Sequence, residues 1–190
     1  MKIITIIVVV VVILLALIIG FAAYWGAFKR IEFRIVEEGG ETLVYEVMNG
    51  DYRQSGKVMD KVYYSLLNDY KVETFKGFGI YYDNPRKVET SKLRSEVGCI
   101  LEESDILKVG QLDGKFKIKT YPKTTCIVAE FSYKGKLSVL FGMMKVYPAL
   151  NKFLIQEGYN EEGAVMEIYD IPAKMIVYRK EMGEKKSIFK

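Results

Sequence analysis

Apolar positions divide the chain into two unlike parts. From Ile3 to Trp25 every residue except Thr5 and Gly20 is apolar or aromatic, and beyond it polar and apolar residues interleave. In that second part, alternation and β-branched or aromatic runs predict strands near Thr42–Met48, Phe75–Tyr82, Leu93–Leu101, Thr125–Ser132, Ala164–Tyr169 and Lys174–Lys180. Val58, Val62, Leu66 and Tyr70 recur by four and predict an amphipathic helix near Ser55–Tyr70. A second helix is expected near Lys136–Gln156, kinked or broken at Pro148.

The order strand–helix–strand–strand therefore occurs twice, and short matches recur in the same order. Val44-Tyr45-Glu46 aligns with Val128-Ala129-Glu130, Gly56-Lys57-Val58 with Gly135-Lys136-Leu137, and Tyr82-Asp83-Asn84-Pro85 with Tyr169-Asp170-Ile171-Pro172. Three matches on equivalent elements indicate an internal duplication. The expected fold is α+β: two modules pairing into one antiparallel sheet, both helices on one face, an open concave groove on the other. The Tyr-Asp-x-Pro pairs are read as strand-ending turns, because the residue before proline avoids the helical region and Asp bonds backbone two residues on.

As a helix, Ile3–Trp25 is about 34 Å long, enough for a bilayer core of roughly 30 Å. Tyr24, Trp25 and Phe28 stand at one end, where an interfacial aromatic belt is expected. The run exceeds the apolar stretch of a cleavable signal peptide, so it is read as an uncleaved single-pass anchor. Lys29, Arg30 and Arg34 follow it while only Lys2 precedes it, which places the C-terminal part in the cytosol. The lack of N-glycosylation sequons and the sparse cysteines agree. The expected layout is a transmembrane segment at 1–28, a juxtamembrane linker at 29–40, a domain at 41–182 with modules at about 41–103 and 115–181, and a short basic tail at 183–190.

Composition narrows the chemistry. The chain has no histidine, which removes the usual general base and the commonest zinc ligand. Cys99 and Cys126 lack metal-ligand spacing and are read as small buried hydrophobes. Net charge is +4 and scattered. Lys115, Lys117 and Lys119 would share one face of a strand, a solvated face rather than a nucleic-acid surface. No metal, cofactor, catalytic residue or directly bound nucleic acid is expected.

Gly77-x-Gly79-Ile80-Tyr81-Tyr82-Asp83-Asn84-Pro85 and Met166-Glu167-Ile168-Tyr169-Asp170, in this element order, resemble the GyrI-like small-molecule-binding family over residues ~40–181. A narrower resemblance rests on Tyr81–Pro85, Val97-Gly98-Cys99-Ile100-Leu101-Glu102 and Val146-Tyr147-Pro148-Ala149-Leu150. It is to single-pass endoplasmic-reticulum proteins of that family that act as autophagy receptors. There the autophagy-binding motif lies in a long acidic tail; here the chain ends at Lys190, so that motif is expected to be missing.

The resemblance implies that a buried glutamate in a late strand faces an aromatic or cationic ligand, and Glu167 holds that position. Period two puts Tyr169 on its face, and the repeat sets Tyr82 opposite Tyr169 and Ile80 opposite Glu167. The expected ligand site is therefore Glu167, Tyr169, Tyr82 and Ile80, taking a small hydrophobic or cationic molecule. Three functions compete: a non-enzymatic membrane-anchored binding module, with the bilayer and a ligand or protein as partners; an adaptor in reticulum turnover, with autophagy or quality-control proteins as partners; and a small hydrolase using Glu167 and a tyrosine.

Overall fold

The computed structural model describes residues 2–112, 114–183 and 185. Helix α1 (Lys2–Tyr24) has none of its 23 residues buried, and its last residue, Tyr24, touches the rest of the chain through Lys134. Its length and apolarity suffice to cross a bilayer. The remaining elements are β1 (Phe33–Glu38), β2 (Thr42–Asn49), α2 (Ser55–Tyr70), β3 (Lys76–Tyr81), β4 (Arg94–Ile100), a short α3 (Val109–Leu112), β5 (Lys117–Thr120), β6 (Thr124–Ser132), α4 (Lys136–Glu157), β7 (Val165–Asp170) and β8 (Met175–Glu181).

The strands form one antiparallel sheet in the order β1-β6-β8-β7-β3-β4-β2-β5. Outward from the central β3–β7 pair, one module reads β3-β4-β2 and the other β7-β8-β6. The duplicated strand–helix–strand–strand plan is thus built as two like halves about a pseudo-twofold between β3 and β7.

Two strands lie outside the predicted set, and they are the two edges of the sheet. β1 falls within residues 29–40, expected as linker, and pairs along its whole length with β6. Its charges, Arg34, Glu37 and Glu38, blur the alternation, while Phe33 stacks on Phe153 of α4 at 4.9 Å. β5 carries Lys117 and Lys119. Short, charged edge strands discourage pairing with other chains, and the same charges weaken the strand signal. Of the expected basic tail, only Gly183 and Lys185 are among the described residues.

α4 runs through Pro148 without a break. Proline removes the bond to the carbonyl four residues earlier, that of Met144. Both residues are on the exposed side of the helix, so water can take the freed carbonyl.

Both long helices cover the same face. Val62 and Leu66 of α2 pack on Val44 and Cys99. Val146 of α4 packs with Ala129, Phe131, Ile176 and Tyr178, and Leu150 and Leu154 pack on Ile127. Cys99 and Cys126 are free and buried, and burial pushes each thiol up to about 11.

The opposite face, expected as an open groove, is instead filled by Leu43, Tyr45, Phe78, Ile80, Ile100, Tyr121, Met166 and Ile168, all buried. Gly98 of β4 allows a close approach on this face. A Cβ there would lie 2.0 Å from the Val44 carbonyl oxygen and 2.7 Å from the Tyr45 Cα, so only glycine allows this approach. With no side chain between them, Tyr45 and Phe78 meet edge to face across β4 at 6.5 Å.

Candidate functional site

The polar centre of the domain lies between the sheet and α4. Alternation along β7 puts Glu167 and Tyr169 on one face, as the sequence predicts, but that face is the helix-covered one and not the open groove in which the ligand site was expected. Glu167 is 1% exposed. The Tyr147 hydroxyl of α4 donates to its Oε1 at 2.7 Å, and the Tyr169 hydroxyl donates to its Oε2 at 2.5 Å.

Glu167 pairs across the sheet with Gly79 of β3 on one side and Tyr178 of β8 on the other. A Cβ on Gly79 would lie 2.6 Å from the Tyr81 hydroxyl, so the glycine makes room for that phenol to fold back over the sheet. Tyr178 is 1% exposed, meets the Tyr147 ring edge-on at 5.9 Å, and its hydroxyl has no hydrogen-bond partner among the described residues. Tyr133 meets Tyr169 in the same manner at 6.4 Å. A single carboxyl group thus sits among Tyr81, Tyr147, Tyr169 and Tyr178, with Tyr133 behind.

Burial raises the pKa of Glu167, and the hydroxyls of Tyr147 and Tyr169 oppose the rise by bonding to its charged form. Burial, then the Glu167 charge, pushes Tyr147 and Tyr169 well above the ordinary phenol value. Tyr81 and Tyr178 are pushed up by the same two causes. The phenols therefore remain protonated, Tyr147 and Tyr169 act as donors, and among the described residues Glu167 is the one carboxyl group in this aromatic enclosure. Such a site suits a cation that offers aromatic or aliphatic surface around its charge.

Two of the four expected residues are elsewhere. Ile80 pairs with Met166 and lies in the packed core of the opposite face, 2% exposed. Tyr82 follows β3 on that side, with the Arg94 guanidinium 6.0 Å from its ring centre. Aligning Tyr82 with Tyr169 placed the repeat one residue out of step, and a one-residue slip exchanges the two faces of a strand. The matching tyrosine is Tyr81. Its parity with Gly77 and Gly79 was a signal in the sequence, as was the alternation that puts Tyr178 on the helix side. Nothing local to Tyr147 marks it, since its role comes from how α4 lies on the sheet.

A second buried charge lies on the other face. Arg179 is 4% exposed and donates to Glu38 at 3.0 Å and Glu41 at 2.8 Å. Burial pushes Glu41 up, but the Arg179 hydrogen bond and charge outweigh it and hold the carboxyl below its usual value.

A duplicated antiparallel sheet, helices on one face, and a buried carboxylate among tyrosines define a small-molecule-binding α+β domain. The GyrI-like small molecule binding domain matches residues 31–176, and the chain belongs to that family. Human testis-expressed protein 264 is 28% identical over 149 residues, which are 72% of this chain and 44% of that protein. The chain therefore spans less than half the length of this relative. Among solved structures, an EcmrR–DNA complex superposes with a TM-score of 0.57 at 11% identity, covering 90% of this chain and 65% of that one. SAV2435 bound to tetraphenylphosphonium superposes at 0.53 and 12% identity, covering 80% and 93%. At these identities the two structures show a shared fold.

Proposed function

We propose that this protein is a membrane-anchored, non-enzymatic binding module whose Glu167 site takes a small hydrophobic cation. The observation that carries the reading is a carboxylate buried to 1% exposure and ringed by tyrosines on the helix side of the sheet. A ligand reaches it by displacing the Tyr147 ring, and α4 is weakest there because Pro148 removes a helix bond one residue on. The tetraphenylphosphonium held by SAV2435, a protein of the same fold, is the kind of ligand this chemistry selects.

Calorimetric titration of tetraphenylphosphonium into the full chain in neutral detergent tests the reading. Wild type binds after subtraction of micelle partitioning, and Glu167→Gln binds at least about tenfold more weakly, since about 1.4 kcal/mol of charge attraction is tenfold in affinity. Equal binding by the two forms removes the glutamate from the proposal.

For location, we infer that α1 spans the reticulum membrane with the domain in the cytosol. Its length and apolarity and the basic residues just after it support this. Protease protection of tagged termini tests it, and cleavage of an N-terminal tag from the cytosolic side reverses the orientation. A second reading, adaptor in reticulum turnover, draws on the similarity to human testis-expressed protein 264 over 72% of the chain. Pull-down against autophagy modifiers tests it, and tight direct binding would promote this reading. Glu167-dependent turnover of ester or epoxide panels would promote the hydrolase reading instead.

A further inference from the structure

The outward side of α4 changes character along its length. Its first half exposes Leu137, Leu140, Met143 and Met144. Its second half exposes Asn151, Lys152, Gln156 and Glu157, with Ile155 the single large apolar residue among them. A helix on a water-soluble surface has no use for four exposed aliphatic side chains within two turns.

The apolar half is the half tied to the end of α1. The Lys134 ammonium donates to the Tyr24 carbonyl at 2.6 Å and lies 4.1 Å from the Tyr24 ring centre. Lys145 donates to the carbonyls of Ala27 and Lys29. Trp25 comes within 4.0 Å of where a Cβ on Gly135 would stand. Residues 134–145 are therefore fastened at one end to the last residue of α1 and at the other to the segment that follows it. Lys29, Lys134 and Lys145 lie there; Arg30 and Lys136 are close to them in sequence, Glu32 is the one acid in the 29–34 stretch, and no Asp or Glu occurs between Glu130 and Glu157. An apolar face whose rim carries more cations than acids matches the interface of an anionic bilayer: aliphatic chains below, phosphate and carboxylate headgroups at the rim.

The geometry points to a second membrane contact: the first half of α4, through Leu137, Leu140, Met143 and Met144, lies in the headgroup layer beside the α1 anchor. The partner is the lipid surface of an anionic leaflet. This inference rests on the reading of α1 as a membrane anchor. It holds the domain against the bilayer instead of leaving it on a free leash.

Depth-dependent quenching separates the two ideas within one sample. The chain has one tryptophan, Trp25, which reports the anchor directly. Leu140→Cys, Met144→Cys and Ile155→Cys replace exposed side chains, and the native Cys99 and Cys126 are too buried to label. Each full-length variant is labelled with an environment-sensitive fluorophore and reconstituted into phosphatidylcholine–phosphatidylserine vesicles with brominated acyl chains. Ile155 lies about 22 Å along the helix from Leu140 and serves as the distant reference.

The expected result is quenching of Trp25 and a several-fold greater quenching of the label at 140 and 144 than at 155. Quenching of Trp25 with equal, weak quenching at 140, 144 and 155 overturns the α4 contact and leaves the anchor standing. Labels at 140 and 144 shielded only at high protein-to-lipid ratio, and unquenched by bromine, assign the face to a second copy of the chain and overturn the lipid contact. An unquenched Trp25 overturns both the anchor and the contact.

Discussion

Tyr147→Phe removes one oxygen atom and keeps the ring, so it isolates the hydrogen bond to Glu167. That bond is 2.7 Å long and its acceptor is 1% exposed. A hydrogen bond to a charged group contributes about 1.5–3 kcal/mol and a neutral one about 1 kcal/mol, so the deficit depends on whether Glu167 is ionised. Burial raises the Glu167 pKa, and Tyr147 is one of two groups holding it down; without Tyr147 it rises further. A carboxyl group whose folded pKa lies above its unfolded value contributes its stability in full below the unfolded pKa. It loses that contribution as pH climbs through the folded value.

The variant must lose more than wild type over that climb. Its deficit is about 1 kcal/mol in acid, where the carboxyl is protonated in both proteins, and grows to about 2–3 kcal/mol above the folded pKa. At roughly 2–4 °C per kcal/mol for a chain of this size, the melting temperature falls by about 3 °C in acid, where the carboxyl is protonated, and by about 8 °C once the pH exceeds its folded pKa. Near-ultraviolet circular dichroism of the full chain in detergent reads the melt through its tyrosines. Tyr178→Phe is the matched control. The same atom is deleted in the same cluster, but this hydroxyl has no partner among the described residues, so the change is neutral or slightly stabilising. A Tyr147→Phe deficit of equal size at both ends of the pH range would refute the coupling to Glu167, as would a matching loss in Tyr178→Phe.

Three further outcomes follow from local geometry. Gly98→Ala forces backbone of β2 to move and costs about 3 kcal/mol, whereas exposed Gly56 in α2 meets nothing within 4 Å and Gly56→Ala stabilises by about 0.5–1 kcal/mol; chemical denaturation gives both signs. Arg179→Met leaves Glu38 and Glu41 without their cation and costs about 2 kcal/mol, discounted because both carboxylates reach water. Glu41, held below its unfolded pKa by Arg179, contributes stability above that pKa and loses it as pH falls, so a pH series of melts should be flatter in acid for this variant than for wild type. Tyr82→Ala leaves tetraphenylphosphonium binding within about twofold of wild type in the calorimetric titration, because Tyr82 lies on the far side of the sheet from Glu167.

What the sequence determined alone is what depends on near neighbours. The unbroken apolar run made α1, because a helix satisfies its own backbone groups whatever surrounds it. Spacing by four made α2, and period two put Glu167 and Tyr169 on one face. The strand–helix–strand–strand repeat announced two like halves. The tertiary structure decided everything that rests on register and contact. Pairing Gly79 with Glu167 brought Tyr81 to the site and sent Tyr82 and Ile80 to the opposite face, a choice summed over every cross-strand pair and carried by no single residue. The lie of α4 delivered Tyr147 from twenty positions earlier in the chain. Apolar side chains from β2, β3, β4 and β7 filled the face expected to be open, and the edge strands β1 and β5 formed because neighbours offered them hydrogen bonds that their own charged sequences do not advertise.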